Sequence, residues 1–309
     1  MAELYEAEMT VSPENIAVGI AGWSYPDWMG YVYDKSVKDP LHFLAGYVDM
    51  VEINNTFYRP PDVRNAASWV RRTAEYPDFF FSAKLHQEVT HEGVLTPGMA
   101  RAFHNGLKPM VEQGRLRYLL AQFRYDFADT PERRDLLRSI REQYEGLGQI
   151  VFELRHRSWQ EPEALDFLKG LGVSVAHLDY PTGRDSFELD VCPFGERGYF
   201  RLHGRNAKAW FDKKAGRDET YNYHYSEKER DELVARAIRI ARACRSLSVV
   251  ANNHYRGKEV VNALQLKARL SGGKVRVPPQ LLRRYDELKA VADEESLSRA
   301  RQDEDMMLF

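Results

Sequence analysis

GYFRLHGR, spanning Gly198–Arg205, sets a histidine between two arginines at every second position. Successive side chains of a strand point to opposite faces, so Arg201, His203 and Arg205 share one face while Phe200 and Leu202 share the other. A polar face of this kind fits a solvated sheet edge or the mouth of a catalytic barrel, and the rest of the chain decides between them.

Working outward, short apolar runs recur at IAVGI (16–20), DMVEIN (49–54), FFFSAKL (79–85), YLLAQF (118–123), IVFELR (150–155), VSVAHLD (173–179), GYFRLH (198–203) and LSVVAN (247–252). These read as eight strands. Between them, segments such as DVRNAASWVRRTAEY, PERRDLLRSIREQYEG and SEKERDELVARAIRIARACRS carry apolar residues at helical spacing behind Asp, Ser or Thr caps. Strand and helix alternate, which calls for a parallel sheet. Eight units over roughly 250 residues predict an α/β fold, a closed (β/α)8 TIM-type barrel. No G-x-G-x-x-G follows the first strand, and the sixth connection, PTGRDSFELDVCPFGERG, is too poor a helix for a regular unit. The expected division is a barrel over 1–277, a short C-terminal helix over 278–292 around LLRRYDELKAV, and a flexible acidic tail with a hydrophobic tip over 293–309.

A chain of 309 residues, 43% hydrophobic, can bury a substantial core without staples. Its net charge of -2 excludes a uniformly basic nucleic-acid binder and leaves local patches open. Cys192 and Cys244 are the only cysteines, the start MAELYEAEMT is polar, and no eighteen apolar residues run together. The expectation is a cytoplasmic protein with no membrane association.

In a parallel barrel, outward residues meet helices and inward residues at the C-terminal strand ends form the active-site floor. Parity then nominates Glu52 and Asn54 on the second strand, Lys84 on the third, Gln122 on the fourth, and Glu153 and Arg155 on the fifth. His177 and Asp179 follow on the sixth, Arg201 and His203 on the seventh, and Asn252 on the eighth. Any one of these alone could be a salt bridge or a solvated rim. Burying so many without partners costs several kcal/mol each, so together they predict a paired network or a polar ligand site.

Lys84, Arg155, Arg201 and Arg205 suit an anionic ligand, phosphate or carboxylate. Glu52, Glu153, Asp179 and His203 suit proton transfer, or with His177 a divalent metal, although no H-E-x-x-H or paired C-x-x-C adds to the metal reading. Lys84 suits an ion pair with Glu52 or Glu153 better than a Schiff base. The loop GRNAKAWFDKKAGRDETYNYHYS has five basic residues against one acid between Arg205 and Arg217, with Trp210, Phe211 and tyrosines interleaved. It fits DNA or RNA, or a lid over a small anionic substrate.

Together GIAGWSYPDWMGYVY, VEINNTFYRPP, FSAKLHQEVTH, FELRHRSW, GYFRLHGR with YNYHYS, and NNHYRGKEVVNALQLK resemble the DUF72 (YecE-like) family, in order from Ile16 to Leu270. The resemblance implies a TIM-type barrel and brings no reaction with it. It points to Trp23, Tyr25 and Trp28; Glu52, Asn54, Thr56, Tyr58 and Arg59; Lys84 and His91; and Glu153, Arg155, Ser158 and Trp159. On the later strands it adds Asp179, Arg201, His203, Gly204, Arg205, Tyr223 and Asn253. Trp23, Tyr25 and Tyr58 would be aromatic walls, or packing at the barrel top. In LLAQFRYDF, Arg124 stands where the family usually has proline.

The terminal DEDMMLF resembles the peptide by which DNA-repair and replication proteins bind the sliding clamp, and the tip of single-stranded-DNA-binding proteins. Met306, Met307, Leu308 and Phe309 would fill a partner's groove. The function expected is action on a phosphate-bearing ligand, with nucleic acid in phosphodiester processing as the leading case. The alternatives are a sugar or sugar-phosphate isomerase or hydrolase in which Glu52 and Glu153 divide acid and base roles, and a non-catalytic binding module.

Overall fold

The computed structural model describes residues 15–190, 195–212 and 214–307, with side chains as far as Gln302. Nine parallel segments form one sheet: β1 (Ile16–Ile20), β2 (Met50–Ile53), β3 (Phe80–Lys84), β4 (Leu116–Gln122), β5 (Gln149–Glu153), β6 (Ser174–Val175), β7 (His177–Asp179), β8 (Arg197–Leu202) and β9 (Ser246–Ala251). Their order is β6-β5-β4-β3-β2-β1-β9-β8-β7. The ends of that series flank Ala176, whose N–H still donates to the Phe152 carbonyl at 2.9 Å. β6 and β7 are therefore two halves of one strand, and the sheet closes as an eight-position barrel. The join is short, with two residue pairs between β5 and β6 and three between β7 and β8.

Helices α1 (Pro40–Ala45), α2 (Val63–Arg72), α3 (Gln87–Thr90), α4 (Pro97–Glu112), α5 (Pro131–Gln143) and α6 (Pro162–Gly170) fill the connections of the first half. In the second half come α7 (Ala207–Phe211), α8 (Arg217–Thr220), α9 (Glu227–Ala241), α10 (Lys258–Ser271), α11 (Pro279–Arg284) and α12 (Glu294–Met307). Their starts follow from local chemistry. Asp39, Thr96 and Thr130 each accept the backbone N–H three residues on, with proline in the first turn, and Ser226 and Glu229 form a reciprocal capping box. The sixth connection is irregular as expected; its described residues hold no helix and fold back on β5 through Phe187 N–H to the Arg155 carbonyl at 2.9 Å.

Two apolar layers result. Val18, Ile20, Val51, Ile53, Phe81, Ala83, Leu119, Ala121 and Phe152 face the helices, whereas Met50, Phe80, Tyr118, Leu120, Val151, Leu178, Tyr199 and Val250 fill the barrel. Gly19 faces inward where an added Cβ would run into the Met50 carbonyl, so β1 and β2 need glycine there.

Within the segment expected as a flexible acidic tail, the structure places the helix α12 over Glu294–Met307. Asp293 caps it by accepting Ser296 N–H at 2.8 Å, Ser296 Oγ accepts Val277 N–H at 2.9 Å, and Ala300 is buried. Ser296, Leu297 and Ala300 make a narrow packed stripe that the surrounding charges obscure. The Met306 and Met307 side chains and all of Leu308 and Phe309 lie outside the described residues. Among the described residues no helix is long and apolar enough to cross a membrane.

Candidate functional site

Arg201 organises the floor of the barrel mouth. Projecting inward from β8, it is 1% exposed and reaches across the lumen to three other strands. Its Nη2 donates to Glu52 Oε1 of β2 at 2.7 Å, and its Nη1 donates to Gln122 Oε1 of β4 at 3.0 Å and to Glu153 Oε2 of β5. Tyr199 supports the same network one layer lower, donating to Glu52 Oε2 at 2.9 Å with Ser82 Oγ 2.8 Å away. Burial, then the neighbouring Glu52 charge, raise the Tyr199 hydroxyl well above the usual phenol range, so it stays a neutral donor. Arg155 completes the floor with two hydrogen bonds to Glu153 Oε1, at 2.9 and 2.6 Å.

The protonation states follow from this packing. Burial pushes the Glu153 carboxyl up, but Arg201, Arg155 and His203 outweigh it and hold it well below the ordinary range. His203 Nε2 lies 3.5 Å from Glu153 Oε1, while Asn252 Nδ2 donates to its Nδ1 at 3.0 Å. That bond puts the ring proton on Nε2, and burial lowers His203 to about 3, so the imidazole is neutral.

Lys84 differs from its neighbours. It has no carboxylate at ion-pair distance and no hydrogen bond at Nζ among the described residues, which corrects the expected pairing with Glu52 or Glu153. Arg201 has already taken both acids. The ammonium instead sits 4.4 Å from the Phe57 ring centroid, 9% exposed through the mouth. Burial and then the Arg201 charge lower it to about 8, against the pull of Glu52 and Glu153.

Aromatic rings stand over this floor. Trp210 and Tyr221, from the loop carrying α7 and α8, lie 5.8 and 6.2 Å from the His203 ring, and Arg155 stacks 5.6 Å from the Trp210 ring. Tyr180, His254 and Tyr25 continue the wall, the last two stacked 4.5 Å apart. Gly204 permits the loop's close return: its φ of 86° and the Tyr223 ring against its missing side chain exclude other residues.

Several nominated residues fall elsewhere. His177 and Asp179 point outward, because Val173 and Val175 share their parity and pack under the helices while Leu178 points in. Asp179 accepts from Arg205 Nη2 and from the Tyr225 hydroxyl, each at 2.8 Å, and Arg205 also reaches Glu232 on α9 at 3.0 Å. Asp179 and Arg205 thus form an outer ion-pair cluster and not part of the floor, and Arg201 has both Nη atoms committed to Glu52, Glu153 and Gln122. Buried His177, lowered to about 4 by burial and then Arg236, lies against α9. Trp159 is a packing residue, fully buried with its Nε1 donating to the Phe127 carbonyl at 2.7 Å.

Asn253 and Tyr223 hold the lid: Asn253 Nδ2 donates to the Tyr223 carbonyl, and the Tyr223 hydroxyl donates to Glu229 at 2.6 Å. Asn54 donates to the Ala21 carbonyl at 3.0 Å at the edge of the mouth. Trp23 packs edge-on against Trp69, 5.4 Å away, while Tyr58 is exposed on a rim groove of about 510 Å³ with Arg59 and Asn65. His91 is exposed and lies edge-on to Phe57.

Glu259 escaped the sequence reading. It is fully buried in the first turn of α10, and burial followed by the Glu52 charge raises its carboxyl well above the ordinary range, leaving it neutral. Its position one residue before the apolar pair Val260–Val261 reads as an ordinary helix-start acid. Tyr180 and His254 were also missed as walls, since loop geometry brings them in, whereas Trp210 and Tyr221 belong to the loop already read as a lid. As for a divalent metal, the Arg201 guanidinium stands between the two carboxylates that would be its ligands. Among the described residues no group of three or more His, Cys, Asp or Glu side chains is arranged to hold one.

The comparisons with known proteins agree with this architecture. Residues 17–284 match the family model described as "Protein of unknown function DUF72". The UPF0759 protein YunF of Bacillus subtilis (strain 168) is 28% identical over 268 residues, covering 81% of this chain and 93% of that protein. The crystal structure of a DUF72 family protein from Thermotoga maritima shares 33% identity at a TM-score of 0.72, covering 82% of this chain and 98% of that one. One from Enterococcus faecalis shares 26% identity at the same TM-score, covering 85% and 98%. By its motifs, its barrel and these matches, the chain belongs to the DUF72 family.

Proposed function

We propose that the barrel mouth binds and acts on a small ligand carrying one anionic group, phosphate or carboxylate. The observation that carries this reading is the charge balance of the floor. Glu52 and Glu153 are matched by Arg201 and Arg155, His203 and Glu259 are neutral, and Lys84 is left over as a positive charge facing the opening. An arginine-bound pair of acids serves as an electrostatic scaffold, so a division of acid and base work between Glu52 and Glu153 is not favoured. The rings of Trp210 and Tyr221 supply flat faces for the remainder of the ligand.

The test is a thermal-shift panel of small phosphorylated and carboxylated metabolites, followed by titration calorimetry of any that stabilise the protein. Lys84→Met is expected to lose binding while remaining folded. If no anion stabilises the wild-type chain, or if Lys84→Met binds as well, the reading fails.

A second reading, a nucleic-acid strand laid across the lid, is favoured by exposed Lys208 and Lys214 beside Phe211, itself 58% exposed. Recruitment by the Met306–Phe309 tip to a DNA-metabolism partner such as a sliding clamp would belong with it. Affinity for labelled single-stranded or duplex DNA should then fall steeply with salt, and Lys208→Ala with Lys214→Ala should reduce the log–log slope by about one each. A flat salt response would remove it.

A further inference from the structure

We infer that Lys84 is a covalent site, whose amine condenses with the carbonyl carbon of an aldehyde or ketone ligand. The inference rests on the anionic-ligand reading for the choice of substrate class, small carbonyl compounds bearing a carboxylate or phosphate, and otherwise on Lys84 itself.

An ammonium group has three N–H donors and normally finds acceptors for them when it leaves water. Lys84 finds none among the described residues, although Glu52 and Glu153 are close enough to act on its charge. Both other cations of the floor, Arg201 and Arg155, are ion-paired with those acids. The backbone that carries the lysine is fixed in place. Thr56 Oγ1 donates to the Lys84 carbonyl at 2.7 Å and contacts the Ile53 carbonyl at 3.1 Å, fixing the end of β3 against the turn that carries Phe57. A lysine held at the mouth without a protein acceptor, next to a guanidinium and open toward the ligand space, is set up to work as a neutral amine.

The chemistry needs no further reagent. The nitrogen lone pair attacks the carbonyl carbon, and the carbonyl oxygen leaves as water with two hydrogens from the ammonium group. A protonated imine remains, bonded through nitrogen to the former carbonyl carbon. It keeps the positive charge that Lys84 brought, so the attraction of Glu52 and Glu153 persists through the step. The lid rings of Trp210 and Tyr221 restrict the water that would reverse it.

The lowered lysine sharpens the test. At pH 7.5 an amine titrating at about 8 has roughly two hundred times the neutral fraction of an ordinary solvated lysine. The full chain is incubated with glyoxylate, and separately with propanal, in the presence of cyanoborohydride, which reduces imines to stable adducts that peptide mass spectrometry can locate. Lys84 is expected to be labelled well ahead of the other lysines, with a rate half-maximal near pH 8. Lys84→Arg, which keeps the charge and is checked for folding by circular dichroism, should lose that adduct yet still bind the anion.

Labelling of Lys84 no faster than the other lysines would overturn the inference. If glyoxylate or phosphate stabilises both wild type and Lys84→Arg but no Lys84 adduct forms, the covalent role fails and the anionic reading stands. If propanal labels Lys84 as fast as glyoxylate, the covalent role stands and the anionic reading fails.

Discussion

Replacing Glu153 by Gln should destabilise the protein, contrary to what a purely catalytic acid would do. The substitution keeps the shape and one oxygen but removes the charge shared by two arginines. Arg155, 14% exposed at its side chain, can turn partly to water at the mouth. Arg201, at 1%, cannot, and keeps only Glu52 and Gln122. Breaking a buried pair costs about 3–5 kcal/mol, and the partial relief of Arg155 places this variant near the lower end, at about 3 kcal/mol. Urea unfolding at pH 7 should show a lowered midpoint at unchanged slope. The pH dependence has a fixed sign. Because the folded carboxyl is held below its ordinary value of 4.5, its stabilisation is complete above that value and is lost as pH falls through the depressed folded one. The gap between wild type and variant should therefore be full at pH 7, still open at pH 5, and close only well below pH 4.5. A variant within about 1 kcal/mol of wild type at pH 7, or a gap already closed at pH 5, would refute the paired-floor account.

Asp179→Asn should lower stability by about 1–2 kcal/mol, by weakening the bonds from Arg205 and the Tyr225 hydroxyl while Arg205 keeps Glu232, and leave anion affinity unchanged; altered affinity in titration calorimetry would return Asp179 to the site. Trp210→Ala should admit water over the floor, relieve the burial that depresses Lys84, and move the pH midpoint of its labelling above the present value of about 8. An unmoved midpoint would separate Trp210 from the environment of Lys84. Tyr199→Phe, which removes a hydroxyl joining Glu52 to Ser82, should cost about 1–3 kcal/mol in urea unfolding. Gly19→Ala should cost at least as much by overpacking β1 against the Met50 backbone, and wild-type stability would argue that β1 can shift.

The barrel was legible because its strands announce their faces: Val51 and Ile53 bracket Glu52, and Phe152 and Leu154 bracket Glu153, so polarity and parity agree. The sixth strand misled for the same reason. Its inward residues Ser174 and Ala176 are small and its outward His177 and Asp179 polar, so polarity gave one phase while Val173 and Val175 gave the other. The valines had it right, since outward positions must meet a helix. Pairing choices were beyond reach, because whether Arg201 goes to acids or to a ligand depends on distances across the lumen that one strand's sequence does not encode. Glu259 and Trp159 show the complementary limit: burial decides that one is neutral and the other a packing residue, and both look exposed or functional in isolation. In α12, three spaced residues outvoted a charged composition.

The arginine at the centre of the floor also has a mechanical consequence. Two junctions of the barrel's hoop have only two residue pairs, β1 to β2 and β5 to β6, but the sixth strand alone has short ladders on both sides, two pairs to β5 and three to β8. Arg201 and Glu153 belong to the two strands flanking the sixth, so their ion pair is a stitch across that weakly held strand, from the inside. Cutting it should let the circle part there first, with amide exchange accelerating at Ser174–Asp179 before the opposite wall of β1, β2 and β9 is affected.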